Sequence, residues 1–174
     1  MTMLQDTNEV WTTRLAVLKR SAKALKSGRR FSFGALVVVG NGRGCIGLGW
    51  GKSREVADAL QKAERAAVAQ KVQVSLKAGR ISHEVQGRYC GATVLLRPAP
   101  PGTGLIASKV VRHVLECAGV KDVVGKSLGA RNPANVAKAT IRALMSLRLK
   151  SARVNYPILK LPALDAAGEP LRLN

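Results

Sequence analysis

The sequence predicts an α+β protein built from two successive units, each a small β-sheet with α-helices packed against it. Three observations predict this class. Alternating apolar runs typical of strands occur in both halves, stretches with helical spacing of apolar residues follow them, and glycine-rich turns lie between. The chain has 174 residues, enough for one domain or two small ones. Hydrophobic residues make up 47% of it, which excludes a wholly disordered chain.

Three strands are predicted in the first unit, at residues 15–25, 30–40 and 45–51. In the second strand the odd-numbered apolar positions share one face, whereas Leu36 and Val38 share the other. In the third strand Gly47, Gly49 and Gly51 form a stripe that has no side chains. Such a stripe lets another backbone approach closely, and the pattern alone does not decide between a packed helix and an RNA backbone.

A helix is predicted next, at residues 54–71, with Ser53 as its N-cap. Its predicted buried stripe comprises Val56, Ala59, Leu60, Ala63 and Ala67. Its exposed side comprises Arg54, Asp58, Lys62 and Arg65. Together these elements make a β-β-β-α domain, and the pattern places the domain boundary in residues 75–81.

The second unit opens with predicted strands at residues 81–85 and 89–96, followed by a Pro/Gly loop at 97–104. A helix is predicted at residues 105–118, with Gly119 as its C-terminal cap. The side chains expected to face inward from this helix are Ile106, Val110, Val114 and Cys117. A short strand is predicted at residues 122–128.

The last predicted helix begins with Asn132 as its cap and Pro133 at its first position. Its predicted buried stripe comprises Val136, Thr140, Ala143, Leu144 and Leu147, with Lys138 and Arg142 on the exposed side. The domain prediction is therefore a 1–10 extension, a first domain at 11–76, a second β-α-β-α domain at 81–149 and an extended, proline-containing tail at 150–174.

The charge distribution points to a polyanion as partner. The formal net charge is +19, and two long stretches, residues 10–54 and 123–164, contain no Asp or Glu. The bases of the first stretch are Arg14, Lys19, Arg20, Lys23, Lys26, Arg29, Arg30, Arg43, Lys52 and Arg54. A merely solvated surface mixes both signs, so nucleic acid is the favoured partner and an anionic membrane surface the second.

Three segments resemble phosphate-binding motifs, but two of them lack the strand, helix or glycine that such a motif requires. The G-x-G-x-x-G pattern at residues 42–47 opens a strand, and Gly51-Lys52-Ser53 lacks the first glycine of a phosphate loop, because Ile46 stands there. The exception is the segment at residues 102–107, which opens a predicted helix. Its backbone N–H groups could bind a phosphate of an RNA backbone.

The sequence contains no recognisable catalytic, metal or cofactor site. His83 and His113 have no nucleophile or acid at catalytic spacing, and His113 is expected on a helix surface. Cys45, Cys90 and Cys117 are expected to be small core residues rather than disulfide or zinc ligands. No apolar run approaches the roughly 20 residues of a membrane span. An enzyme, a resident cofactor and a small-molecule substrate are therefore not expected.

Several motifs in order resemble the family of small-subunit ribosomal protein number five, over about residues 11–148. They are GRRFSF at 28–33, GLGWGKSREV at 47–56, ALQKA at 59–63, GTGLIA at 102–107, VLECAGV at 114–120 and NPANV at 132–136. The resemblance implies a first domain similar to double-stranded-RNA-binding domains and a second domain with a left-handed β-α-β crossover. It implies a non-enzymatic constituent of the ribosome, in the bacterial cytoplasm or an organelle.

The resemblance also implies partners and site residues. The expected partners are small-subunit rRNA near the decoding region, mRNA near its entry path, and small-subunit proteins four and eight. The hairpin loop at residues 21–30 is expected to reach rRNA near the spectinomycin site, although Ala22 and Ser27 depart from the family pattern. All ten bases named above are predicted rRNA contacts, with the six at positions 19–30 foremost. Gly102, Thr103, Gly104, Lys109 and Arg112 are predicted to face rRNA or a neighbouring protein.

Two alternatives stay open at this point. A free double-stranded-RNA-binding protein or RNA chaperone would explain the charge and the first domain, but not the motif order of the second. A nicotinamide-dependent enzyme would explain only the glycine patterns, whose context does not fit.

Overall fold

The computed structural model describes residues 10–76 and 78–147, so the predicted tail and nearly all of the predicted N-terminal extension lie outside it. The elements in chain order are β1 Thr12–Leu25, β2 Gly28–Gly40, β3 Cys45–Ser53, α1 Val56–Ala69, β4 Val72–Gln73, β5 Val85–Tyr89, β6 Ala92–Pro98, β7 Leu105–Ile106, α2 Lys109–Ala118, β8 Val123–Gly129 and α3 Pro133–Met145. The α+β class is confirmed: two four-stranded sheets carry three helices in the described ranges.

The first sheet has the order β1-β2-β3-β4 and is antiparallel throughout. The second has the order β5-β6-β8-β7, and β7, which α2 connects to β8, pairs with β8 in parallel. The hairpin of β1 and β2 turns through Lys26 and Ser27 alone, because Leu25 already pairs with Gly28. The predicted hairpin loop is therefore mostly strand.

The glycine stripe of β3 is covered by α1. A Cβ atom at Gly47 or Gly49 would clash with the carbonyl oxygen of Ala67 or Ala63, and one at Gly51 would clash with that of Ala59. The three alanines lie at i, i+4 and i+8 and are fully buried. Of the two readings left open by the pattern, a packed helix is correct, and no room remains for an RNA backbone on this stripe.

The start of α1 differs from the prediction. Its N-cap is Glu55, and Ser53 is the last residue of β3. The Ser53 hydroxyl donates to Asp58 Oδ2 at 3.3 Å. Strand pairing of Ser53 with Phe33 keeps its backbone extended. The predicted Ser53 cap is therefore wrong, because pairing within the sheet outweighs the local capping preference.

The first hairpin of the second unit is shifted relative to the prediction. Its strands were expected at residues 81–85 and 89–96, but the turn lies at Cys90 and Gly91, where Cys90 adopts φ 50°. Gly87, which was expected in the loop, lies inside β5 against the backbone of Ala139 and Ala143 in α3. This close approach is a tertiary contact that sequence periodicity does not report.

Helix α2 begins four residues later than predicted, at Lys109. Leu105 and Ile106 pair instead with β8, and Ile106 is 53% exposed rather than buried. The predicted Gly119 cap is correct: Gly119 has φ 83°, and the next amide, of Val120, donates to Leu115 O. For α3, the Asn132 cap, the first-turn proline and the buried stripe are all confirmed.

One core joins the two units. On one face of the first sheet Ala35, Val37 and Val39 pack with α1. On the other, Leu36 and Val38 belong to the same buried cluster as the apolar residues of α2, β6 and α3. The β2–β3 turn also caps the C-terminal end of α2, because Gly42 N donates to Cys117 O at 3.0 Å and Gly44 N donates to Ala118 O at 2.9 Å.

Candidate nucleic-acid interface

The hairpin of β1 and β2 projects beyond the rest of its sheet. Pairing of β2 with β3 stops at Phe33, so the five residue pairs from Ser21–Ser32 to Leu25–Gly28 have no third strand. Every residue from 21 to 31 is exposed. A ribbon of this length extends roughly 15 Å, which is enough to enter a nucleic-acid groove or a cleft between RNA helices.

The register places positive charge on both faces of this ribbon. Directly paired residues share a face, so Lys23 and Arg30 lie together, whereas Arg29 pairs with Ala24 on the opposite face. Arg20 lies on the same face as Arg29, with its guanidinium 4.5 Å from the Phe31 ring centroid. Lys26 occupies the turn. The ribbon can therefore contact phosphates on two sides at once.

A groove where the ribbon joins the sheet, here called the hairpin-base groove, is lined by several Lys and Arg side chains. It lies between the ends of β2 and β3 and the first turn of α1. Its basic side chains are Lys23, Arg30, Lys52, Arg54 and Lys62, against two acids, Glu55 and Asp58. Four of these bases were predicted as rRNA contacts. Lys62 was not, although its place on the exposed side of the predicted helix was the signal that could have identified it.

Arg14 and Arg43 do not join this cluster. Arg14 lies nine positions before Lys23 on β1, and its Nε is 3.7 Å from Glu116 Oε2 on α2. Arg43 lies in the β2–β3 turn, at the opposite end of the sheet from the hairpin tip. The structure thus gathers eight of the ten predicted bases at one end of the molecule and leaves these two beside α2.

The glycine loop before α2 binds an anion from its own chain. Asp122 Oδ1 accepts hydrogen bonds from Gly102 N at 3.1 Å and Gly104 N at 3.0 Å. Its other oxygen, Oδ2, lies 3.3 Å from Arg80 Nη2. The Gly104 amide, helped by the Gly102 amide and Arg80, holds the pKa of Asp122 below its ordinary value despite burial of the carboxyl group.

The predicted phosphate site at residues 102–107 is therefore wrong in its chemistry. The segment opens β7 rather than a helix, and the amides of Gly102 and Gly104 already bind a carboxylate. Thr103 closes a turn on Pro100 O. Lys109 and Arg112, exposed on the first turn of α2, stay predictions as contacts with RNA or protein.

The cysteines and histidines form no reactive site. Cys117 is buried, and burial raises the pKa of its thiol to about 11, so it stays protonated. Cys90 is exposed in a turn, so its prediction as a core residue was wrong. His113 was expected on a surface, but its side chain is only 19% exposed, with Nδ1 3.8 Å from Glu116 Oε2. No group of potential metal ligands occurs in residues 10–76 and 78–147.

Comparison with known proteins agrees with the resemblance seen in the sequence. The family profile "Ribosomal protein S5, N-terminal domain" matches residues 11–75, and "Ribosomal protein S5, C-terminal domain" matches residues 87–154. The "Small ribosomal subunit protein uS5" of Treponema denticola is 48% identical over 139 residues, which are 80% of either chain. That of Thermus thermophilus is 48% identical over 138 residues, 79% of this chain and 85% of the relative. None of the described helices is long and apolar enough to cross a membrane.

Proposed function

The chain belongs to the ribosomal protein S5 family, and we propose that it anchors small-subunit rRNA through the β1–β2 hairpin and the hairpin-base groove. It is a structural, rRNA-binding constituent of the small ribosomal subunit and not an enzyme. The relatives compared are bacterial, which supports a bacterial ribosome rather than an organellar one as its location.

The observation that carries the proposal is the projecting ribbon with Lys and Arg side chains on both faces. Residues of an exposed two-stranded ribbon gain little by packing on their own protein, and its charges repel one another. RNA phosphates relieve this repulsion and release condensed counterions on binding. Phosphate contacts fix position and orientation rather than read sequence, which suits a protein that holds one site of a folded rRNA.

We also propose the finer role that the family resemblance implies: the protein acts near the decoding region, aids assembly and borders the mRNA entry path. A ribbon that reaches between RNA helices could hold a junction in place, which is compatible with this role. Proteins four and eight of the small subunit are proposed neighbours on the remaining exposed surfaces of the second domain, including the first turn of α2 with Lys109 and Arg112.

The test is the triple variant Lys26→Ala, Arg29→Ala, Arg30→Ala. All three side chains are exposed, so thermal stability is expected to change by less than about 0.5 kcal/mol. Loss of three phosphate contacts is expected to lower the log–log salt slope of rRNA binding by about 2 to 3. Stability is measured by circular dichroism and binding by filter retention at several salt concentrations.

The matched control is Arg65→Ala, Lys121→Ala, Lys126→Ala, which removes the same charge from exposed positions away from the hairpin. It should retain rRNA binding and incorporation into subunits. Co-sedimentation with small subunits in high salt separates a ribosomal constituent from a free RNA chaperone. A hairpin variant that binds rRNA as tightly as the control would show that these three side chains do not anchor the RNA. A variant that unfolds would assign them a structural role.

A further inference from the structure

A second basic surface lies between the two domains and begins at Lys19, on the hairpin strand β1. Three adjoining depressions form one cleft along the edge of β3, because neighbouring depressions share Trp50 with Ala134, and Leu48 with Lys138. We call this the interdomain cleft and define it by Leu48, Trp50, Gln70, Tyr89, Lys138 and Arg142. Its bases on α3 belong to the second acid-free stretch of the sequence, which the hairpin does not use.

Trp50 supplies a flat aromatic surface in this cleft. The six-membered part of its indole rests on Gly34, where a Cβ atom would come within 2.6 Å of Cζ2. The backbone of Trp50 is fixed by pairing with Leu36, yet half of the residue, 50%, stays exposed. A large aromatic ring that is held on one side and open on the other can stack with a nucleic-acid base.

Tyr89 positions two cations in the adjoining part of the cleft. Lys138 Nζ lies 5.0 Å from the Tyr89 ring centroid and 3.3 Å from its hydroxyl oxygen. The Arg142 guanidinium lies 4.7 Å from the same centroid and donates to Arg88 O at 3.3 Å. These contacts hold both cations in place before any ligand arrives, which lowers the entropy cost of binding.

The charge in the cleft has one sign. Lys19 lines the end near α3, and no acidic side chain is among the described residues that line the three depressions. Fixed cations without acids favour a polyanion, and the open indole favours one that carries aromatic bases over an acidic peptide. Duplex RNA hides the faces of its bases, so the matching chemistry is an unpaired stretch.

We propose that the interdomain cleft binds an unpaired RNA segment, with one base stacked on Trp50 and backbone phosphates on Lys138, Arg142 and Lys19. The proposal deepens the RNA-binding role proposed above and adds a surface that shares only Lys19 with the predicted rRNA contacts. It assigns a role to α3, whose exposed bases were not among the predicted rRNA contacts.

The test uses Trp50 as its own reporter. The chain has two tryptophans, so Trp11→Phe leaves Trp50 as the sole emitter. Titration with octauridylate should quench Trp50 emission in a saturable way, and added salt should weaken the binding. The quench should persist when Lys26, Arg29 and Arg30 are replaced by alanine, so a failure of the hairpin proposal and a failure of this one are distinguishable.

The matched variants remove charge but keep a polar side chain of intermediate length. Lys138→Gln, Arg142→Gln retains the first part of each aliphatic stem and is expected to weaken octauridylate binding about tenfold. Arg65→Gln, Lys121→Gln removes equal charge elsewhere and should leave the titration unchanged. Circular dichroism checks that both variants fold as the parent does.

Three results would overturn the proposal. Trp50 emission could stay constant while labelled octauridylate binds, which would place the RNA elsewhere. The two glutamine variants could bind equally, which would remove the role of α3. Octaglutamate could quench as strongly and as tightly as octauridylate, which would make the cleft a site for acidic polypeptides.

Discussion

Asp122 shows how one residue can replace an external ligand. The Gly-Thr-Gly loop at residues 102–104, before α2, resembles a phosphate-binding loop in sequence. The amides of Gly102 and Gly104 do bind an anion. That anion is a carboxylate 20 residues away in the chain, which also draws Arg80 from the segment between the two domains. Converging amides identify an anion site, but not where the anion comes from.

Stability at low pH is expected to depend on Asp122. Its pKa is lower in the folded chain than its ordinary value of 3.8. The resulting stabilisation is therefore fully present above about pH 4 and is lost as pH falls through the lower, folded-state value. Asp122→Asn should lower Tm at pH 7, and the difference from the parent should shrink steadily below pH 4.

Thermal unfolding of Asp122→Asn and of the parent protein from pH 7 to pH 2.5 measures how the Tm difference between them shrinks. Asp58→Asn is a suitable control, because Asp58 is an exposed acid on α1. A Tm difference that stays constant over the whole range would show that the carboxylate charge does not contribute and that only side-chain shape matters.

At the scale of elements, the accuracy of prediction follows the range of the interactions involved. The start of α3 was predicted correctly because Asn132 and Pro133 act within their own turn. Strand β5 was misplaced because Gly87, which sequence rules assign to a loop, pairs with Val94 and packs closely against α3. Leu105 and Ile106 were assigned to a helix because their parallel pairing with β8 spans many residues.

The predicted rRNA contacts divide in the same way. The six bases at positions 19–30 lie together because one hairpin carries them, and sequence proximity ensures it. Arg14 lies on the same strand, but register directs it to Glu116. The interdomain cleft could not be predicted, since the depressions lined by Trp50 and by Tyr89 adjoin only when the two sheets pack.

Gly49, the middle glycine of the β3 stripe, is expected not to tolerate a side chain. A methyl group there would meet both Ala63 O and, at 2.5 Å, Ala67 N, so α1 would have to move as a unit. Gly49→Ala should destabilise the protein by about 2–3 kcal/mol. Gly91→Ala is the control, because its nearest neighbour is the Ala130 side chain at 3.5 Å. Urea unfolding of both variants measures the difference, and equal stability would show that the helix adjusts at no cost.

At the scale of the whole molecule, the two domains defined by sequence share one core. Cys117 of α2 is buried against the first sheet, with its Sγ 3.7 Å from Val38 O. The β2–β3 turn binds the last carbonyls of the same helix. The first sheet thus has one face covered by its own helix and the other by a helix of the second domain, so neither domain buries its apolar surface alone.

Unfolding is therefore expected to be a single cooperative transition rather than two. Val114 lies three positions before Cys117 on the same face of α2 and is fully buried in the shared core. Val114→Ala should destabilise the protein by about 2 kcal/mol. Val124→Ala, at a 39% exposed position of β8, should have little effect.

The measurement follows two probes during urea denaturation: tryptophan emission for the first domain, which contains both tryptophans, and far-ultraviolet circular dichroism for the whole chain. In a shared core the two transitions coincide, and Val114→Ala moves both by the same amount, although Val114 itself belongs to the second domain. If the midpoint of tryptophan emission stayed constant while the dichroism midpoint fell, the first sheet would remain folded without α2. In that case the hairpin would be held by the first domain alone, and the second domain would contribute only its own surfaces to the ribosome.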